Sequence, residues 1–195
     1  MKDAVPRRVS NSEQELDIAI VGGGIIGLVL ALGLNRRGIK VQVYEQARSL
    51  REIGAGVAFT ANAVRCMGEI DPRLVTALRS VATSNGDPKN PNDHLQWVDG
   101  YSVDPASPEI EKILFKLYAG PRGFEGCHRA HFLDALLKAV PEGVVHFRKR
   151  LSKVVEQDEG KVELRFEDGT VAAADAGKSS YLCYGIHAKY VSDWL

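Results

Sequence analysis

Between Leu16 and Glu45 the spacing of apolar and polar positions changes twice, and the changes predict strand, turn, helix and strand in that order. Ile18, Ala19, Ile20 and Val21 form a short unbroken apolar run, the pattern of a strand buried on both faces. From Leu28 the spacing becomes helical. Leu28, Leu32 and Leu34 with Val29 and Ala31 give a broad apolar surface, Arg36 and Arg37 occupy the last turn, and Gly38 supplies the stop. Lys40, Gln42 and Tyr44 then alternate with Val41 and Val43 in a second strand that ends on Glu45.

Beyond Glu45 a polar connection over Gln46 to Ile53 leads into Gly54-Ala55-Gly56-Val57-Ala58-Phe59. That stretch reads either as a β-turn or as bare backbone on which a flat ligand can lie. Thr60 caps a predicted helix through Ala61, Ala63, Val64, Met67 and Ile70, closed by Asp71-Pro72, and Leu74, Val75 and Leu78 continue a shorter one. Ser84 to Asp93 is almost entirely turn formers and predicts a surface loop. His94 to Val98 and Tyr101 to Val103 read as two strands about an Asp99-Gly100 turn, and Ile113 to Tyr118 as another strand stopping at Gly120-Pro121. Cys127-His128-Arg129-Ala130-His131 opens the next helix, whose face is Phe132, Leu133, Leu136, Leu137 and Val140. Pro141-Glu142-Gly143 ends that helix, and Val144 to Phe147 is a strand. Leu151 to Glu156, Val162 to Phe166 and Thr170 to Ala174, with turns at Asp158-Glu159-Gly160 and Asp168-Gly169, predict a small antiparallel meander. The fold class is therefore α/β, with a parallel sheet of Rossmann type and an antiparallel β-meander.

The turn after the first strand carries the chemistry. Gly22, Gly24 and Gly27 form G-x-G-x-x-G. Gly22 permits the tight turn, Gly24 lets a pyrophosphate approach the backbone, and Gly27 lets helix and strand pack closely. With Ile25 and Ile26 they open a helix whose first amides and positive dipole end face the phosphates. Glu45 lies 18 positions beyond Gly27 at the strand's end, where a carboxylate accepts from both hydroxyls of an adenosine ribose and repels a 2′-phosphate. A cation in the first turn of a helix is locally unfavourable, so Arg129 calls for an anion, either a cofactor phosphate or Glu125 or Asp134.

Composition removes other classes. The 195 residues allow one domain with a sizeable core, and 45% hydrophobic with 26% charged residues is ordinary for a globular protein. Lys+Arg and Asp+Glu both number 25, so the basic excess expected of a nucleic-acid partner is missing. No apolar stretch approaches the ~20 residues that span a bilayer. The first fifteen residues are polar, lack a signal-peptide core and read as a disordered lead, which points to a cytoplasmic chain. Cys66, Cys127 and Cys183 are widely spaced and read as buried free thiols. His128 and His131 lack the carboxylate spacing of a zinc site, so no metal is expected, and Arg148-Lys149-Arg150 reads as a solvated basic face.

Taken in order, IVGGGIIGLVLALGLNRRGIKVQVYE, GAGVAF followed by Asn62-Ala63, CHRAHFLDALL and FEDGTVAAADA resemble the N-terminal half of the class A FAD-dependent aromatic monooxygenases. The nearest likeness is to fungal enzymes of the salicylate hydroxylase type. The resemblance runs from about Leu16 to Ala176. It implies that Gly22, Gly24, Ile25, Ile26 and Gly27 hold the FAD pyrophosphate and Glu45 the ribose. It also implies that Gly56, Val57 and Ala58 lie along the cofactor, and that Arg129 faces its phosphates or ribityl chain. Members of the family reduce FAD with NADH or NADPH and use O2 to hydroxylate a small phenolic substrate. Where the family has Gly-Cys-Asp-Gly-Ile-x-Ser after the meander, this chain has Gly177 to Tyr181 and then Leu182-Cys183-Tyr184-Gly185-Ile186-His187-Ala188, with Tyr184 in place of Asp and Ala188 in place of Ser. The expected organisation is a lead over 1–15, the N-terminal part of an FAD-binding domain over 16–176, and an atypical tail over 177–195. The substrate domain and catalytic residues are expected beyond the C-terminus. A non-catalytic fragment keeping the ADP half of the FAD site is the alternative, and an NAD-dependent dehydrogenase is a second, since Glu45 alone does not separate NAD from FAD.

Overall fold

The computed structural model describes residues 16–50, 55–85, 95–99, 112–118, 120–157 and 161–179. The expected lead, the Asp158-Glu159-Gly160 turn, Cys183, Tyr184 and Ala188 lie outside these residues.

The first unit forms as the periodicity predicts: β1 (Asp17–Val21), α1 (Ile25–Arg36) and β2 (Lys40–Tyr44), with β1 and β2 paired in parallel from Asp17↔Lys40 to Val21↔Tyr44. Gly38 takes a positive φ of 74° beyond the helix C-terminus, and the Ile39 amide reaches back to the Leu34 carbonyl. Two further parallel strands flank this pair, β12 (Ala176–Ser179) beside β1 and β8 (Val145–His146) beside β2, giving the order β12-β1-β2-β8. Among the described residues the polar β12 is an edge of this sheet, where burial on both faces is not demanded, and it continues across the expected boundary at 176.

The two faces of the sheet bury different partners. Ile20, Val41 and Val43 pack against Ala31 of α1. Ala19 packs on the other side against Val162, Leu164, Phe166 and Ala174 of the meander β9 (Leu151–Glu156), β10 (Val162–Phe166) and β11 (Val171–Ala174). A larger helical core lies beyond α1, where Leu28 and Leu32 meet Val64 and Met67 of α2 (Ala61–Ile70), Leu74 and Leu78 of α3 (Pro72–Arg79) and Phe132, Leu133 and Leu136 of α4 (Arg129–Ala139). At the α2–α3 corner the buried Asp71 caps α3 through the Arg73 amide at 2.8 Å and takes the Arg73 guanidinium at 2.7 Å. That hydrogen-bonded guanidinium holds the Asp71 carboxyl below the usual carboxylate range.

Several expectations change. Gly56–Phe59 of the GAGVAF stretch is a strand and not a turn: this β3 is the edge, among the described residues, of an antiparallel sheet ordered β3-β7-β4, with β7 (Glu125–His128) and β4 (Thr83–Ser84). Cys127 and His128 therefore end a strand and do not open a helix. His128 caps α4, its Nδ1 accepting from the Ala130 amide at 3.3 Å. Thr83–Ser84 replaces the start of the expected loop, whose remainder over 86–93 is not described. β5 (Leu95–Asp99) pairs antiparallel with β6 (Lys112–Leu117), and across that pairing Trp97 stacks on Phe115 at 4.7 Å. Tyr101 to Val103 lies outside the described residues. Cys66 is exposed, since its position on α2 faces away from the helical core, while Cys127 is half-buried with its thiol pushed up by burial. Lys149 is not part of a solvated face, for its Nζ meets Asp168 at 2.7 Å and Thr170 at 2.9 Å. The same two partners lower the Asp168 carboxyl to about 2.

Candidate functional site

The candidate site is the carboxyl end of β1 and β2. The Gly22 amide donates to the Tyr44 carbonyl at 2.8 Å, and Gly22 holds φ 105°, a conformation open to glycine. Gly24 is the N-cap of α1, with no side-chain cap and no acidic residue in the first turn. The Leu28 amide is the first to find a helical acceptor, at Gly24. The amides before it point out of the helix end with the positive pole of the dipole. The local arrangement is that of an anion site.

Glu45 stands beside this turn, only 6% exposed. One carboxylate oxygen accepts from the Gly23 amide at 2.6 Å and the other from the Ala47 amide at 2.8 Å. Two donors leave about half of a carboxylate's lone-pair positions for a ligand. A Cβ at Gly23 would lie 3.1 Å from Glu45 Cβ and 3.3 Å from its Oε2, so the middle glycine of the triplet is what lets the acid close on the turn. Gly23 was not among the residues singled out from the sequence; the triple glycine itself was the available signal.

Arg129 enters from α4. Its guanidinium lies 3.9 Å from where a Cβ of Gly24 would be, and its amide donates to the Ala55 carbonyl at 3.2 Å. Glu125, one alternative partner, is buried and engaged by Arg79 at 3.2 Å and Arg122 at 3.2 Å. The pairing Gly56↔His128 brings Gly56 next to Arg129, and a Cβ at Gly56 would meet nothing within 4 Å. Val57 and Ala58 run on along β3, paired with Cys127 and Gly126. Thus Glu45 and Arg129 both approach the Gly22–Gly24 turn, Gly56 pairs with the residue before Arg129, Ile25 and Gly27 lie in the first turn of α1, and Ile26 is 67% exposed beside them.

An uncapped helix end, a guanidinium over the glycine turn, an acid with spare acceptor capacity and open space at Gly56 fit the ADP half of a dinucleotide. The His128 and His131 rings lie 4.9 Å apart and tilted by 38°, and no group of three or more metal-ligating side chains occurs among the described residues. A depression lined by Asp17, Lys40, Lys161 and Asp175 lies at the opposite end of β1. Among the described residues no helix is long and apolar enough to cross a membrane.

A family model described as an NAD(P)-binding Rossmann-like domain matches residues 20–61. Over 169 residues the chain is 50% identical to the FAD-dependent monooxygenase pigN of Monascus ruber, covering 86% of this chain and 37% of that protein. It is 48% identical over 170 residues to the salicylate hydroxylase asL1 of Sarocladium schorii, covering 86% and 35%. Among solved structures, a salicylate hydroxylase substrate complex superposes with a TM-score of 0.66 at 29% identity, covering 86% of this chain and 36% of that one. The crystal structure of FqzB, at 21% identity and a TM-score of 0.66, supports the fold alone. The resemblance read from the sequence therefore holds, and the chain spans about 37% of the length of the first of these curated relatives.

Proposed function

We propose that this chain, similar over 86% of its length to a fungal FAD-dependent monooxygenase, forms the ADP-binding half of an FAD site in an aromatic hydroxylase. The observation that carries the reading is the convergence of Glu45, the uncapped start of α1 and Arg129 on one glycine turn. The α1 amides and Arg129 neutralise the pyrophosphate, Glu45 takes up the ribose hydroxyls, and Gly56 leaves room for the cofactor beside Arg129. The bound flavin supplies the redox and oxygenating chemistry, with NADPH or NADH as transient reductant and O2 as co-substrate. The substrate of the whole enzyme is a small phenolic compound, in a cytoplasm that regenerates the reductant. The similarity to FAD-dependent monooxygenases favours FAD over the dehydrogenase alternative, which the Rossmann match by itself leaves level.

The test uses the purified chain. Its visible spectrum reports bound flavin, calorimetry reports ADP and FAD affinity, and NADPH oxidation is followed with and without salicylate. Binding of FAD and ADP at one site, weakened at least ten-fold by Arg129→Glu, is expected from the loss and reversal of a charge on the phosphates. Failure to bind either nucleotide refutes the assignment. Salicylate-stimulated NADPH consumption assigns the full reaction to this chain, and binding without turnover assigns it cofactor capture alone.

A further inference from the structure

We infer that Arg148 is a positioning residue for Glu45, acting through its backbone; the inference rests on the reading of Glu45 as the ribose acceptor. Arg148 has φ 60° and is the one non-glycine residue with positive φ among the described residues. A residue with a Cβ holds that conformation only where its surroundings over-determine it. Here they do. The Arg148 amide donates to the Ala47 carbonyl at 3.0 Å, and the next amide, Lys149, donates to the Glu45 carbonyl at 2.8 Å. In a regular strand successive amides point to opposite sides, and a left-handed residue breaks that alternation. Both amides consequently reach the same short segment, 45–47.

That segment carries the acid. The Ala47 amide holds one Glu45 carboxylate oxygen at 2.8 Å while the Ala47 carbonyl is held by Arg148, so Ala47 is fixed from both ends. The Glu45 amide is bonded to the His146 carbonyl at 2.8 Å, and Tyr44 stacks on the His146 ring at 5.2 Å. Lys149 is anchored in turn by Asp168 at 2.7 Å and Thr170 at 2.9 Å on the meander. Residues 146–149 form a strap that clamps the end of β2, and the left-handed turn at Arg148 is its buckle. The Arg148 side chain is exposed, so the clamp depends on the conformation and not on the guanidinium.

The experiment compares ADP with 2′-deoxy-ADP by calorimetry on the full chain and on Arg148→Gly, Arg148→Val and Glu45→Ala. Hydrogen exchange is read at the Ala47 and Lys149 amides. The wild type is expected to prefer ADP on the order of ten-fold, since one charge-assisted hydrogen bond is lost with the hydroxyl. Arg148→Gly, which adopts the turn freely, keeps the preference within about two-fold and keeps both amides protected. Arg148→Val, β-branched and opposed to positive φ, loses most of the preference and the protection, as Glu45→Ala loses the preference. Loss of preference in Arg148→Gly overturns the inference, because the side chain would then be the actor. So does a folded Arg148→Val that retains the preference, or free exchange of the Ala47 and Lys149 amides in the wild type. If Arg148→Val does not fold, the glycine variant and the wild-type exchange decide. A wild type that binds ADP and 2′-deoxy-ADP equally, unaltered by Glu45→Ala, refutes the ribose assignment instead, while the exchange data still judge the clamp.

Discussion

Replacing Gly33 by alanine sets two known terms against each other at the contact that holds α1 to α2. Gly33 is buried in α1, and a Cβ there would lie 2.8 Å from Ile70 Cγ2, well inside the ~3.5–4 Å of ordinary carbon contact. Alanine in a helix interior gains about 1 kcal/mol over glycine. Overpacking a fitted contact costs about 1–3 kcal/mol, and the cost depends on whether the neighbour can yield. Ile70 is poorly placed to yield. It is β-branched on a helix, its carbonyl accepts from Arg36 Nη1 at 3.0 Å, and Asp71 beside it is pinned by Arg73. The clash should win, for a net loss of about 1 kcal/mol. Urea denaturation followed by far-ultraviolet dichroism should therefore show the Gly33→Ala midpoint lowered by roughly 0.5 M at an unchanged slope. In an Ile70→Ala background Cγ2 is gone, and the same substitution should become stabilising by up to about 1 kcal/mol. A midpoint that rises equally in both backgrounds would refute the close approach of the two helices.

The remaining predictions concern the site and its surroundings. Glu45→Ala should lower stability without any ligand, by about 2–4 kcal/mol, because the Gly23 and Ala47 amides lose their acceptors at about 1–3 kcal/mol for a buried one; an unchanged urea midpoint contradicts those bonds. Asp168 is held down to about 2 by Lys149 and Thr170, so its contribution is complete above pH ~4 and is lost as pH falls through about 2. Asp168→Asn should thus flatten the fall in stability across that acid window, and an unaltered acid titration of unfolding counts against the pair. Cys66 is exposed while burial raises the Cys127 thiol, so Cys66→Ser should remove one equivalent of the fast phase of reaction with a thiol reagent and Cys127→Ser should not.

The β1–α1–β2 unit and the meander were legible because each carries its own local periodicity, and Glu45 because it sits where that periodicity ends. What stayed hidden depends on contacts distant in sequence. Gly56–Phe59 alternates too weakly to announce a strand, and it becomes one by pairing with residues 125–128. Cys127 and His128 continue the apolar spacing of α4, so the change from strand to helix at Arg129 leaves no mark in composition. Lys149 looks like its neighbours Arg148 and Arg150, and only the turn at Asp168 distinguishes it. Arg148 is a residue type that gives no warning of positive φ.

The edge strand β12 carries a consequence for synthesis. β1 and β2 meet across a separation of 23 residues, whereas β1 and the segment beginning at Asp175 meet across 158. On the ribosome the glycine turn can take shape as soon as β2 has emerged, yet the other side of β1 stays an open row of amides and carbonyls until Ala176–Ser179 is made. At about 5–20 residues per second that interval is roughly 7–27 s. Throughout it the nascent chain presents an unpaired strand edge to its surroundings, and shielding by a chaperone matters most before Ala176–Ser179 arrives.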